Sequence, residues 1–203
     1  MQNYFEGVSM KLRAMTWNIK AGGCADYGQL PDLAERPPRE AAIKEVVDNY
    51  RNADVSTMVL VDAHGWDKIY GGDAGIAHHL GFTSARYINL CDPRLESIGH
   101  STGVVIATNH EIVRFRTIDL GMRYCVAAVL RIGSHKFLQC VGVYLDDLSE
   151  EVRENQVRNL VKQLEPNIPT VLMGDFNTLR PSLRGASVSH LLGDFAVRTV
   201  AAT

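Results

Sequence analysis

The chain has 203 residues, 46% hydrophobic and 22% charged, with a net charge of −2, a composition that excludes a disordered chain and fits an ordinary globular protein. One domain of this length buries roughly 70% of its unfolded surface, so its core needs neither disulfide nor structural metal. The small net charge excludes a strongly basic nucleic-acid sleeve, though not a nuclease whose affinity comes from one local site.

Cys24, Cys91, Cys125 and Cys140 are scattered, with no pair at the two-residue spacing of a zinc ribbon, and a chain this long requires no disulfide framework. Cys125 and Cys140 lie in apolar runs and read as small core residues. No apolar stretch reaches the roughly 20 residues of a membrane span. The opening MQNYFEGVSM lacks the basic and apolar regions of a secretory signal. The expected compartment is therefore the cytoplasm. Residues 1–9 read as a leader or tail, with the domain beginning at Met10.

Residues 11–18 (KLRAMTWN) alternate polar and apolar positions, which predicts a strand. A Gly-, Asp- and Pro-rich connection spans 21–38. A helix is expected over 39–50, because Ala42, Val46, Val47 and Tyr50 recur at helical spacing behind Pro37 and Pro38. The run VSTMVLV at 55–61 is nearly all apolar, as in a strand buried on both faces. Residues 74–80 predict a short helix closed by Gly81. Strands are expected at 84–90, 103–107, 112–117 and 124–132. The last of these meets 136–144 across Gly133-Ser134-His135 as a hairpin. Asp147-Leu148-Ser149-Glu150 has the form of a capping box and opens a helix through Leu164, with Val152, Val157, Leu160, Val161 and Leu164 as its apolar stripe. Pro166 and Pro169 end it, and a buried strand at 170–173 runs into Gly174-Asp175-Phe176-Asn177. The remainder is Ser-, Gly- and Arg-rich, with a short apolar patch at Leu191 and Leu192 and a strand-like stretch at 195–200. No repeat or linker divides the chain, so one α/β domain over 10–203 is expected.

Three of these strands end in polar residues directly after an apolar run: Trp17-Asn18, Val61-Asp62 and Gly174-Asp175-Phe176-Asn177. In open α/β sheets functional side chains gather at the carboxyl ends of strands. One Asn amide oxygen and two carboxylates at one sheet end are hard ligands suited to Mg²⁺ or Mn²⁺ rather than zinc. Asp175 would then position a water and Asn177 would orient a phosphate. A lone strand-terminal Asp is more often a cap or turn former; the conjunction of three such ends is what points to chemistry.

Thr16-Trp17-Asn18-Ile19, Ala53-Asp54-Val55 leading to Val59-Leu60-Val61-Asp62, Gly103-Val104-Val105-Ile106, Arg153-x-x-Gln156 and Gly174-Asp175-Phe176-Asn177 resemble, in this order, the motifs of the endonuclease/exonuclease/phosphatase superfamily. That superfamily includes DNase I-like nucleases, apurinic endonucleases, inositol polyphosphate phosphatases and sphingomyelinases. The resemblance implies a four-layered α/β sandwich, with two mostly antiparallel sheets face to face and helices outside. It implies metal-assisted cleavage of a phosphoester by water, on a nucleic acid, a phosphoinositide or a small phosphodiester. Asn18, Asp62 and Asp175 would hold the metal, and Asp175, Asn177 and Tyr144 would act on the substrate.

The chain departs from that pattern at three places. Asp62 stands where the family usually has a metal-binding Glu, which retracts the carboxylate by about 1.5 Å, whereas Mg²⁺ asks for oxygens at about 2.0–2.1 Å. Tyr144 stands where the family has a catalytic His; a Tyr donates a hydrogen bond to phosphate but is no imidazolium near neutral pH. Nothing after Asn177 matches the family's Ser-Asp-His ending, and His190 sits in a different context. The expectation is a domain incomplete at its C-terminus, its last strands missing, low in activity, with an open sheet edge that invites a homodimer. The alternative is a non-catalytic relative acting as a binding or structural module, and a remoter one is an α/β domain that binds a small molecule without metal.

His64, two residues past Asp62, and His100, just before the 103–107 strand, are expected to contact substrate. Of His78 and His79, one should face solvent while the other packs. Trp17 reads as a core residue beside the site. Arg114, Arg116, Arg123, Arg131 and Lys136 read as alternating charges on a solvent face.

Overall fold

The computed structural model describes residues 12–19, 36–91 and 102–177. In chain order they form β1 (Ala14–Asn18), α1 (Arg36–Asn52), β2 (Thr57–Val61), α2 (Trp66–Ile69), α3 (Asp73–Leu80), β3 (Ser84–Asn89), β4 (Gly103–Thr108), β5 (Glu111–Asp119), β6 (Tyr124–Arg131), β7 (Phe137–Tyr144), α4 (Glu150–Gln163) and β8 (Thr170–Asp175). The strands make two four-stranded sheets, ordered β1-β2-β4-β3 and β5-β6-β7-β8. Each is mixed. β1 runs parallel to β2 and β8 parallel to β7, and the other neighbours are antiparallel.

Side-chain alternation along the central strands explains the layering. Met58 and Leu60 of β2 face one way, against Ile43 and Val47 of α1, Trp66 of α2 and Ile76 and Leu80 of α3. Val59 and Val61 face the other way and, with Val104 and Ile106 of β4, meet Val126, Ala128, Leu130 and Cys140 of the second sheet. The far face of that sheet, through Ile118, Cys125, Val141 and Val143, receives Val157 and Leu160 of α4. A strand buried on both faces reads as a continuous apolar run because both its odd and its even residues leave water. The result is helices, sheet, sheet, helix: the four-layered sandwich.

Local departures from the expected elements have identifiable causes. The buried pair of α1 is Ile43 and Val47, whereas Ala42 and Tyr50 are exposed, so the helix is turned by one position from the stripe read in sequence. Asp147 does not cap α4. Ser149 does, its side chain accepting from Val152 N–H at 3.3 Å, because the helix begins two residues later than the motif places it; the Asp147 carboxylate instead accepts from Arg123 Nη2 at 2.9 Å. Arg123 itself is 2% exposed and so does not belong to a solvent face. Gly81 does close α3, at φ 69°. His78 is exposed, while His79 stacks on Tyr70 with ring centroids 4.2 Å apart.

At the border of its sheet, β5 carries a bulge between Ile112 and Arg114 and exposed charges at Glu111 and Arg114, features that oppose strand-to-strand association. No helix among the described residues is long and apolar enough to cross a membrane. The expectations for residues 1–9, Cys24, the connection before α1, His100, His190, Leu191, Leu192 and 195–200 fall outside the described residues.

Candidate active site

Strand direction decides which residues share an end of the sandwich. In the parallel β1–β2 pair, Asn18 lies opposite Val61, so Asn18 and Asp62 leave the first sheet together. In the parallel β7–β8 pair, Tyr144 lies opposite Asp175. The two sheets meet there: Asn18 Nδ2 donates to Asp175 Oδ2 at 2.8 Å, joining residues 157 positions apart.

The turn after β8 is built to hold the Asp175 carboxylate. Gly174 has φ 139°, a conformation closed to side-chain-bearing residues. Asn177, at φ 49°, occupies the left-handed region that Asn tolerates. From there its backbone N–H donates to Asp175 Oδ1 at 2.9 Å and its Nδ2 donates to the Leu145 carbonyl at 2.8 Å. Leu145 N–H in turn donates to the Asp175 carbonyl at 2.9 Å, extending the β7–β8 pairing past the strand ends. Each oxygen of Asp175 therefore accepts from a fixed donor, one across the sheets and one within its own turn.

Asp62 is 1% exposed and also left-handed, at φ 64°. Its Oδ1 accepts from Thr102 Oγ1 at 2.6 Å, and the next residue, Ala63, donates its N–H to the Gly103 carbonyl. The structure thus brings Asn18 and Asp175 into contact and sets Asp62 at the same sheet end, its carboxylate anchored on the residue that precedes β4. Among the described residues no three His, Cys, Asp or Glu side chains gather into a metal cluster. The donors at this end, an amide and two carboxylates, are all hard oxygens, the set that Mg²⁺ and Mn²⁺ accept.

Tyr144 is 4% exposed and its ring belongs to the apolar layer between the sheets, with the guanidinium of Arg123 5.0 Å from the ring centroid. As register partners on parallel strands, Tyr144 and Asp175 project from the same face. His64 is half-buried, its backbone N–H on the Asp62 carbonyl at 3.1 Å.

Sequence reasoning missed the scaffold behind this end. Asp146, fully buried, accepts from Leu148 N–H and Ser149 N–H at 2.9 and 2.7 Å. Its own N–H donates to Gln156 Oε1 at 2.8 Å, and Arg153 Nη1 donates to its carbonyl at 2.8 Å. The Arg153-x-x-Gln156 spacing places both side chains on one helical face; that was the available signal. They brace the loop after β7, and Arg153 also pairs with the Glu150 carboxylate.

Two four-stranded mixed sheets packed face to face between helices, with amide and carboxylate donors at the carboxyl ends of β1, β2 and β8, define the chain as a four-layered α/β sandwich domain. Residues 15–195 match the Endonuclease/Exonuclease/phosphatase family, and the chain belongs to that family. No curated protein matches it in sequence. Among solved structures, the chain is similar to an endonuclease/exonuclease/phosphatase from Beutenbergia cavernae DSM 12333 at 18% identity and TM-score 0.63, over 91% of this chain and 53% of that one. It is similar to the human nocturnin catalytic domain with bound sulfate anion at 18% identity and TM-score 0.61, over 93% and 69%. It is also similar to a mannosyl-6-phosphatase from Bacteroides thetaiotaomicron VPI-5482 at 11% identity and TM-score 0.52, over 82% and 66%. At such identities the likeness shows the fold, and the chain spans little more than half of the Beutenbergia structure.

Proposed function

We propose that the chain is a phosphoesterase that hydrolyses a phosphodiester or phosphomonoester with a divalent ion, Mg²⁺ or Mn²⁺, and that its turnover is slow. The observation that carries this reading is the 2.8 Å hydrogen bond from Asn18 to Asp175, which unites two strand ends bearing hard donors. Nocturnin with its sulfate anion and the mannosyl-6-phosphatase, relatives in fold, support a tetrahedral oxyanion as the ligand class. Asn18, Asp62 and Asp175 are the residues that would hold the ion. Bound there, a divalent ion supplies Lewis acidity and neutralises charge that develops on the phosphate oxygens.

The chain's own residues do the rest. Asp175, held at both oxygens, presents a fixed carboxylate that orients the attacking water, whose proton passes to solvent. As the water oxygen bonds to phosphorus the ester P–O bond breaks, and the alcohol leaves with a proton from solvent. Asn177 spends one side-chain hydrogen on Leu145; its second is the donor for a phosphate oxygen. His64, beyond the end of β2, contacts the substrate. Turnover is slow because Tyr144 stands where an imidazole would serve, and a general acid or base contributes about 10²–10⁴ in rate.

The 4% exposure of Tyr144 and its place in the inter-sheet core favour a second reading, a non-catalytic binding module in which that ring serves packing. Calorimetry with Mn²⁺ and hydrolysis of bis(4-nitrophenyl) phosphate and 4-nitrophenyl phosphate, by the native chain and by Asp175→Asn, separate the two. The expected result is Mn²⁺ binding and slow Mn²⁺-dependent hydrolysis, both lost in Asp175→Asn. Binding without hydrolysis above that variant would support the module. Absence of Mn²⁺ binding would refute the phosphoesterase.

A further inference from the structure

We propose that Arg123 is a positioning residue for the strand-end site, acting on Asn177 and Asp175 through the carbonyl of Leu145. Arg123 sits in the turn between β5 and β6, closed by Leu120 N–H on the Arg123 carbonyl at 2.9 Å. A turn between antiparallel strands normally presents an arginine to water, yet this one is 2% exposed. Withdrawing a guanidinium from water is costly unless its donors are paired. Here Nη1 donates to the Leu145 carbonyl at 2.5 Å and lies 3.5 Å from the Tyr144 carbonyl, while Nη2 donates to Asp147 Oδ1 at 2.9 Å. Its plane carbon stands 5.0 Å from the centroid of the Tyr144 ring, a cation–π distance.

The Leu145 carbonyl is where this buried cation meets the site. A carbonyl oxygen has two lone pairs, and this one accepts from Arg123 Nη1 and from Asn177 Nδ2, the latter at 2.8 Å. Asn177 N–H then holds Asp175 Oδ1, and Asn18 holds Asp175 Oδ2. A continuous series of short contacts therefore runs from the guanidinium to the carboxylate without Arg123 touching substrate. The charged donor polarises the carbonyl toward its second donor and so favours the left-handed placement of Asn177. Asp147, the outer partner, is half-exposed and steadies the guanidinium without belonging to that series.

The sign of one effect separates positioning from mere charge. A fixed cation close to a metal site opposes metal binding by Coulomb repulsion, so removing it would strengthen binding if charge were its only contribution. Positioning requires the reverse. The inference rests on the phosphoesterase reading for its metal measurement alone, so a second readout is independent of metal: hydrogen exchange of the Asn177 side-chain amide in ¹⁵N-labelled protein. The variants are Arg123→Met and Arg123→Lys, the latter keeping the charge without the two-pronged geometry. Asp147→Asn leaves the guanidinium in place.

In Arg123→Met the Asn177 amide is expected to exchange about tenfold faster, and Mn²⁺ affinity to fall about 10–100-fold, as for partners that orient metal ligands. Arg123→Lys should lie between, and Asp147→Asn near the native chain. Should Arg123→Met fail to fold, Arg123→Lys decides by the same two readouts. Unchanged Asn177 exchange in the folded Arg123 variants, or Mn²⁺ affinity that rises when the charge is removed, would overturn the proposal. If the native chain binds no Mn²⁺ the phosphoesterase reading fails, while the Asn177 measurement still decides the role of Arg123.

Discussion

Replacing Gly174 by Ala tests how the turn that bears Asp175 is made. A Cβ on Gly174 would lie 1.9 Å from the Val143 carbonyl oxygen and 2.8 and 2.9 Å from its carbon and nitrogen. Val143 is the register partner of Gly174 in the parallel β7–β8 pair, so the obstacle is paired backbone that no rotamer change relieves. Real Cβ atoms stay beyond about 3 Å, so the strands must part by about 1 Å at the last rung before Asp175. The backbone at φ 139° adds a second penalty. Conformational strain of about 1–3 kcal/mol and overpacking of about 1–3 kcal/mol together remove about 2–6 kcal/mol from a stability of order 5–15 kcal/mol. Gly121 is the internal control: its φ is 104°, yet an added Cβ would find only Asn159 Nδ2, at 3.6 Å. Gly121→Ala should therefore carry the backbone penalty alone. Urea unfolding of both variants, extrapolated linearly to water, measures the difference, and the Asn18 side-chain amide resonance reports whether its bond to Asp175 survives. A Gly174→Ala cost no larger than that of Gly121→Ala, with the Asn18 resonance unmoved, would refute the steric argument.

Leu60→Ala should cost about 2–5 kcal/mol, since Leu60 is fully buried between α-helices and sheet; a urea-measured cost below about 1 kcal/mol would place β2 outside the core. Burial pushes the Cys125 and Cys140 thiols up to about 12, so neither should react with iodoacetamide at pH 8 in the folded chain, and both should react in denaturant, as read by site-resolved mass spectrometry. Burial lowers the pKa of His110, whose Nε2 lies 3.1 Å from Ser56 Oγ. The fold therefore prefers neutral His110, and the stability it contributes is complete above about pH 6.5 and is lost as pH falls. His110→Gln should flatten that acid-side loss; an unchanged pH profile would count against it.

The second reading of the site turns on Tyr144, and the structure shows why sequence could not rank it. The resemblance put Tyr144 at the place of a catalytic His, and the sequence carries nothing that tells whether a Tyr ending an apolar strand faces the site or the core. Its 4% exposure and its place among Val61, Val104 and Met173 come from the sheets packing face to face. The capping box at Asp147 was similarly ambiguous. The motif fitted, but the helix begins two residues later with Ser149 as its cap, and Asp147 pairs with a guanidinium 24 positions earlier.

What the sequence determined by itself were features set by nearest neighbours along the chain. These include strands marked by two-residue alternation or unbroken apolar runs, the Gly81 stop of α3, and the polar residues Asn18, Asp62 and Asp175 placed just after apolar strands. Each depends on backbone preferences and solvent exposure within a few residues, which local composition encodes. The tertiary structure alone decided which of these ends meet. Asn18 reaches Asp175 across two sheets, Asp62 turns toward Thr102, and Arg123 leaves water to join Leu145. The physical reason is that hydrogen bonds and burial between distant segments depend on sheet order, strand direction and layer packing, and a buried polar group takes whichever partner that packing places within about 3 Å of it.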